Sequence, residues 1–134
     1  MSETMKEPIK IAALVPNAIL EETTSGDAVD MRPSNYLGFE GALVRADIGE
    51  ITGTPDSVKV KIEESDSSTF ASGNTVADGG AEVTVEASTA YSFQIQRTKR
   101  YIRAVVTVTG GTTPKVTTSI VAVLNNWARP YNLG

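Results

Sequence analysis

The residues that most often carry out nucleophilic or acid–base catalysis are scarce in this sequence. It contains no Cys and no His, which excludes thiolate nucleophiles, imidazole bases, and metal sites built on either ligand. Ser and Thr are frequent, but no Gly-x-Ser-x-Gly run is present to form a nucleophile elbow. No Gly-Lys-Ser or Gly-Lys-Thr run is present to hold a nucleotide phosphate. We therefore expect no enzymatic activity and no cofactor.

Three acidic residues, Glu63, Glu64 and Asp66, lie close together in the chain. A glycosidase needs two carboxylates facing each other across a cleft. In a strand, however, Glu63 and Glu64 would point to opposite faces, because successive side chains alternate. We interpret these acids as a solvated strand end that resists pairing with another sheet edge.

The polar stretch 66–78 is long enough to contain an EF-hand calcium loop of twelve residues. Such a loop needs oxygen ligands at its fifth and twelfth positions, where this sequence has Phe70 and Ala77. We assign no metal site. An irregular calcium site remains an alternative, with the candidate carboxylates Asp56, Asp66 and Asp78.

Charge is distributed unevenly along the chain. The formal net charge is −4, from 12 basic and 16 acidic residues, and Glu86 is the last acid. The basic cluster Arg97, Lys99, Arg100 and Arg103 lies in the acid-free part. One interpretation is a docking patch for an acidic protein surface; the other is a hairpin whose polar face is basic. The acidic total, and Tyr101 as the one aromatic residue within the cluster, argue against nucleic-acid binding.

Both ends of the chain contain candidate contact residues. The C-terminal residues 125–134 include Trp127, Arg129 and Tyr131, whose residue types are enriched in interface hot spots. This tail either packs on its own domain or docks on a neighbour. Near the N terminus, the apolar candidates are Ile9, Ile11, Leu14 and Leu20. The apolar run 11–15 ends at Pro16 and is too short for a signal peptide or a membrane span.

The elements that must position these residues are β-strands, because alternating apolar and polar residues recur between turn residues. The predicted strands cover residues 8–15, 36–48, 57–64, 81–86, 90–97, 100–109 and 116–124. Residues 65–80 form a long loop with a short turn around Phe70. Gly110 to Pro114 are expected to form a hairpin connection. Residues 16–33 are interpreted as an extended arm or loop, with one helical turn over 18–22 as an alternative.

Short strands at regular spacing predict an all-β fold, an antiparallel β-sandwich of the immunoglobulin-like or jelly-roll-like kind. We divide the chain into an N-terminal strand or arm (residues 1–34), a sandwich body (35–124) and a C-terminal tail (125–134). A length of 134 residues fits a single folded domain.

Parts of the body resemble a known family. Residues 58–66 (Val-Lys-Val-Lys-Ile-Glu-Glu-Ser-Asp), 99–114, with the run Arg100-Tyr-Ile-Arg-Ala, and 119–124 are similar to small β-sandwich virion proteins of tailed bacteriophages. These proteins sit on the phage head as decoration, or cement, subunits. The resemblance covers residues 36–124, and the N-terminal segment has no counterpart in it.

The resemblance implies a structural protein that binds the outside of the mature head and stabilises the coat lattice. Its expected partners are the major capsid protein and neighbouring copies of itself, as a trimer or dimer, with no nucleic acid and no membrane. Its expected location is the capsid surface of a virion that is assembled in the host cytoplasm. Two alternatives remain: another virion component, such as a tail or head–tail joining protein, and a carbohydrate- or calcium-binding β-sandwich module.

Overall fold

The structure is a computed structural model that describes residues 10–33 and 38–126. Every regular element in these residues is a β-strand. In chain order they are β1 (Lys10–Leu20), β2 (Thr24–Ser25), β3 (Val29–Asp30), β4 (Gly41–Thr52), β5 (Ser57–Ser65), β6 (Thr75–Val76), β7 (Val83–Thr84), β8 (Thr89–Gln96), β9 (Tyr101–Thr109) and β10 (Lys115–Asn125).

Four long strands form the first sheet, in the order β1-β10-β4-β8. All neighbouring strands are antiparallel. The β4–β8 pairing runs without a register shift from Gly41 opposite Gln96 to Ile48 opposite Thr89. Strand β1 pairs less regularly, with register shifts on both sides of Val15. Pro16 follows there, and a proline is tolerated in an edge strand because its missing N–H can face away from the ladder.

The second sheet is built around β5 and β9, which pair along their whole length from Ser57 opposite Thr109 to Ser65 opposite Tyr101. The other edge of β9 is covered by the short strands β2 and β3. The other edge of β5 is covered by β6 and β7. Each edge of this sheet is therefore closed by short segments, which limits pairing with other chains.

The core lies between the two sheets. Buried residues alternate along most of β4, β5 and β10, as in β5, where Val58, Val60 and Ile62 are buried and the residues between them are only partly covered. Burying each such side chain contributes about 1.5–3 kcal/mol. The prediction of an all-β antiparallel sandwich is confirmed. The predicted turn around Phe70 is also present, closed by the Phe70 amide donating to the Ser67 carbonyl over 3.0 Å.

Residues 16–33, which we interpreted as an extended arm or loop, are instead part of the sandwich. Strand β1 continues past Pro16 to Leu20, and residues 21 and 22 form a bend, so the alternative helical turn over 18–22 does not form. Strands β2 and β3 then cross to the second sheet and pair with β9. The physical reason is apolar burial, since Leu14 and Met31 are fully buried and Leu20 is 8% exposed.

Two connections that we interpreted as hairpins are not hairpins. Residues 97–100 join β8 in the first sheet to β9 in the second, and residues 110–114 join β9 back to β10 in the first. Both are corners between sheets. Glycines and a short polar loop favour a tight reversal, but they do not determine whether the two strands pair with each other.

Candidate functional site

The corner at residues 97–100 is anchored by the carboxylate of Glu64, at the end of β5. Glu64 is only 4% exposed. Its Oε1 accepts the backbone amides of Thr98 (2.8 Å) and Lys99 (3.1 Å), and its Oε2 accepts the Thr98 hydroxyl (2.7 Å). The interpretation of Glu64 as a solvated strand end is wrong, because it occupies an inward position of β5 and is the acceptor for this corner.

Arg97 and Arg100 extend the corner to the two neighbouring segments. Arg97 donates to the Phe39 carbonyl and to Glu40 Oε2, at 3.3 Å. Arg100 donates from two nitrogens to the two carboxylate oxygens of Asp30, each over 2.9 Å. The hydrogen bond from Arg100 holds the pKa of Asp30 below its ordinary value of 3.8, against a smaller opposing effect of burial.

Lys99 and Arg103 also have acceptors inside the molecule. The Lys99 ammonium donates to the Gly73 carbonyl. Arg103 donates from Nε and Nη2 to Glu63 Oε1, at 3.1 and 2.9 Å. Its guanidinium lies 4.3 Å from the centroid of the Phe70 ring, a stacking geometry that adds to the pair.

All four members of the predicted basic cluster are thus engaged within the chain. The side chains of Arg97 and Arg103 are 12% and 20% exposed, and Arg100 is 47% exposed. Docking an acidic partner there would require these cations to exchange acceptors. The geometry therefore favours a structural role for the cluster, in a corner between sheets rather than in a hairpin.

The other candidate surface is the outer face of the first sheet. The strand registers place Ile11 opposite Val123, and Val123 opposite Leu43, in a row across β1, β10 and β4. The next row contains Ala13 opposite Val121. Ile11 is 71% exposed and Leu43 47% exposed. We call these five residues the apolar row: Ile11, Ala13, Leu43, Val121 and Val123.

Polar residues border the apolar row towards β4 and β8, while the exposed Ile19 lies on the same face further along β1. Arg45 on β4 lies between Val121 on β10 and Ser92 on β8. Ser119 on β10 lies opposite Asp47 on β4. Arg45 and Asp47 form an exposed ion pair of 3.0 Å. A patch of exposed apolar side chains beside a polar margin is typical of protein-binding surfaces.

The structure distributes the predicted contact residues over different environments. Ile11 lies in the apolar row, whereas Leu14 and Leu20 are core residues and do not reach the surface. The predicted contact residues outside the described part of the chain are Ile9, Trp127, Arg129 and Tyr131.

Sequence reasoning missed Ala13, Leu43, Val121 and Val123, although a signal was present for three of them. Leu43 occupies an outward position of β4, in the same phase as Arg45 and Asp47. Residues 120–124 are all apolar, whereas a strand that faces water on one side alternates with polar residues. A single outward apolar residue is common on protein surfaces, but the unbroken apolar run 120–124 is typical of a strand that is covered on both faces.

A groove of about 410 Å³ lies at the opposite end of the second sheet from the basic cluster, between residues 51–58 and 84–87. Its lining includes Asp56 and Glu86 together with Ser and Thr hydroxyls, and no aromatic ring. A glycan site usually offers an aromatic platform, so the groove does not favour the carbohydrate-binding alternative.

The calcium alternative gains no support from the described residues. Asp56 precedes β5 and Asp66 follows it, so the nine residues of that strand separate them. No group of three or more acidic residues that could hold a metal ion occurs in residues 10–33 and 38–126. The same part of the chain contains no helix long and apolar enough to cross a membrane.

Comparisons with known proteins do not identify a family. No protein-family model matches the chain, and no curated protein matches it. A solved structure titled "Crystal structure of PirA" aligns over 88% of this chain and 93% of its own, with 16% identity and a TM-score of 0.41. A similarity of this size carries no argument about function.

Proposed function

We propose that this chain is a non-catalytic binding subunit that attaches to a protein shell through the outer face of the β1-β10-β4-β8 sheet. The apolar row is the observation that carries the proposal. The kind of shell, the outside of a tailed-bacteriophage head, is proposed on the resemblance of residues 36–124 to head decoration proteins.

The energetics of the apolar row suit attachment in many copies. Complete burial of one Ile or Leu side chain contributes about 1.5–3 kcal/mol. Ile11 and Leu43 are 71% and 47% exposed in the folded chain. Roughly half of the burial free energy of these side chains is therefore still available when a partner covers them. The resulting contact is modest for one subunit, but repeated binding across a lattice accumulates by avidity.

The rest of the domain keeps this face in a fixed shape. Strands β4 and β10 pair from Gly41 opposite Asn125 to Thr52 opposite Lys115 with one register shift, so the apolar row lies on a nearly continuous ladder. A rigid subunit that binds the mature lattice and not its precursor stabilises the mature shell, because a ligand stabilises the state it binds.

The test compares two double variants with the same change in charge. In Ile11→Lys/Leu43→Lys, both charges lie in the apolar row. In the control, Val76→Lys/Ala81→Lys, they replace exposed residues at an edge of the second sheet. Binding to heads assembled without this chain is measured by co-sedimentation.

We expect the apolar-row variant to bind at least tenfold more weakly, since about 1.4 kcal/mol of lost contact is a factor of ten in Kd. The control variant should bind as the natural chain does. Equal binding by both double variants would contradict the proposal. Copy number distinguishes a decoration protein, present at a level near that of the coat protein, from a joining protein, present as a single ring.

A further inference from the structure

Strand β8 forms one edge of the first sheet. It pairs with β4 on one side over its whole length. On its other side, the described residues provide one backbone bridge, between Asp78 and Gln96 at the end of the strand. The rest of this edge is open among the residues that the structure describes.

The bridge shows which backbone groups face the open side. The Gln96 amide donates to the Asp78 carbonyl over 3.0 Å, so the backbone of Gln96 points away from β4. Because these directions alternate along a strand in an antiparallel ladder, the N–H and C=O groups of Ala90, Ser92 and Gln94 also point away from β4. The side chains of all three are exposed.

This edge lacks the features that usually prevent strands from pairing. The segment Thr-Ala-Tyr-Ser-Phe-Gln-Ile-Gln contains no charged residue and no proline, and its pairing with β4 has no bulge. The opposite edge strand, β1, has Pro16 and two register shifts. Charges, proline and bulges are the devices by which natural edge strands avoid association, and β8 has none of them.

We propose that β8 is a self-association edge, pairing antiparallel with β8 of a second copy about a two-fold axis at Ser92. In this register Ser92 lies opposite Ser92 of the second copy, and Ala90 lies opposite Gln94. Three outward-facing residues in each copy then exchange six backbone hydrogen bonds, forming one eight-stranded sheet across two subunits.

Two features of the fold select this register. Asp78 occupies the outer edge at Gln96, and Ser88, with φ of 56°, ends the strand at the other side. A two-fold axis at Ser92 lies midway between Ser88 and Gln96, so both copies pair within the open part of the edge. An axis at Gln94 would place the second copy against Asp78. The register also keeps the inward residues together, with Tyr91 opposite Phe93, as the two-residue period of a strand requires.

The proposed partner is a second copy, because the outward N–H and C=O groups of β8 can hydrogen-bond to the same groups of another β8. A two-fold contact uses one surface twice, and the uncharged β8 faces its copy without repulsion. The pairing adds strands at a sheet edge rather than covering the apolar row, so it is independent of the proposed attachment to a shell. In the dimer, two apolar rows lie on one continuous sheet.

The first test exchanges charge at the two-fold axis. In Ser92→Lys or Ser92→Glu, like charges face each other, so each variant should sediment as a monomer at concentrations where the natural chain dimerises. An equimolar mixture of the two should form the heterodimer. The control is Ser119→Lys, on the same face of β10, which should dimerise as the natural chain does. A natural chain that stays monomeric at every concentration up to about 1 mM, a range that reveals even weak pairing, would overturn the proposal.

The second test uses the absence of Cys from the sequence. In the proposed register, the two Cα atoms at position 92 are about 5.5 Å apart, within the span of a disulfide. The two Cα atoms at position 94 are four residues out of register, about 13 Å along the strand. Under mild oxidation Ser92→Cys should therefore cross-link much faster than Gln94→Cys. Equal rates, or faster cross-linking at position 94, would overturn this register.

Discussion

Replacing Glu64 with Ala should destabilise the fold by removing the acceptor at the centre of the 97–100 corner. The carboxylate is 4% exposed and accepts three hydrogen bonds of 2.7–3.1 Å. The substitution leaves the amides of Thr98 and Lys99 and the Thr98 hydroxyl without this acceptor. Because the corner is near solvent, water can replace part of what is lost.

We expect a loss of about 3 kcal/mol in the free energy of unfolding, the low end of the range for breaking a buried charged interaction. Glu64→Gln keeps an acceptor oxygen for the two amides, so it should cost about 1 kcal/mol. The exposed Glu82→Ala serves as the control and should change stability by less than about 0.5 kcal/mol.

The assay is urea unfolding followed by far-ultraviolet circular dichroism, with amide hydrogen exchange as the local measurement. In Glu64→Ala, the amides of Thr98 and Lys99 should exchange faster, while amides in the centre of β4 and β10 follow the global change. If Glu64→Ala were no more destabilising than Glu82→Ala, the carboxylate would not anchor the corner and the reasoning would be refuted.

Two further predictions concern backbone conformation and pH. Gly111 and Gly73 both have positive φ, 84° and 71°, but a Cβ at Gly111 would lie 2.6 Å from the Gly53 carbonyl oxygen, whereas a Cβ at Gly73 meets nothing within 4 Å. In thermal unfolding, Gly73→Ala should show only the conformational cost of about 1–2 kcal/mol, and Gly111→Ala a clearly larger one; equal losses would contradict the steric argument. Because the pKa of Asp30 is held below 3.8 by Arg100, the stability from this pair should be complete above pH 3.8 and lost as pH falls through the lower folded value. Carbon-detected NMR titration should show the Asp30 pKa rising in Arg100→Gln, and an unchanged pKa would exclude Arg100 as the cause.

The strands of the body were predictable because their alternation is regular. In β4 and β5 the inward positions expected from the sequence, such as Val44, Val58 and Ile62, are the buried ones. Local periodicity identifies a strand and its buried face. It does not identify the neighbouring strand, and for this reason the corners at 97–100 and 110–114 were mistaken for hairpins.

The candidate surface was only partly predictable. The basic cluster stands out in the sequence, yet its acceptors Asp30, Glu40 and Glu63 are 40 to 70 residues away, so no local pattern reveals the pairing. The apolar row depends on register across three strands. Only Ile11 among its five residues was chosen in advance, because an isolated outward Leu43 gains meaning only when Val123 is known to lie beside it.

Electron cryomicroscopy of tailed-phage heads decorated with this chain tests the proposed attachment most directly. We expect a density for the sandwich on the outside of the head, with the β1-β10-β4-β8 sheet against the shell and Ile11 and Leu43 covered by coat protein. A head without this density, or a subunit bound to the shell through the 97–100 corner with the apolar row facing solvent, would contradict it.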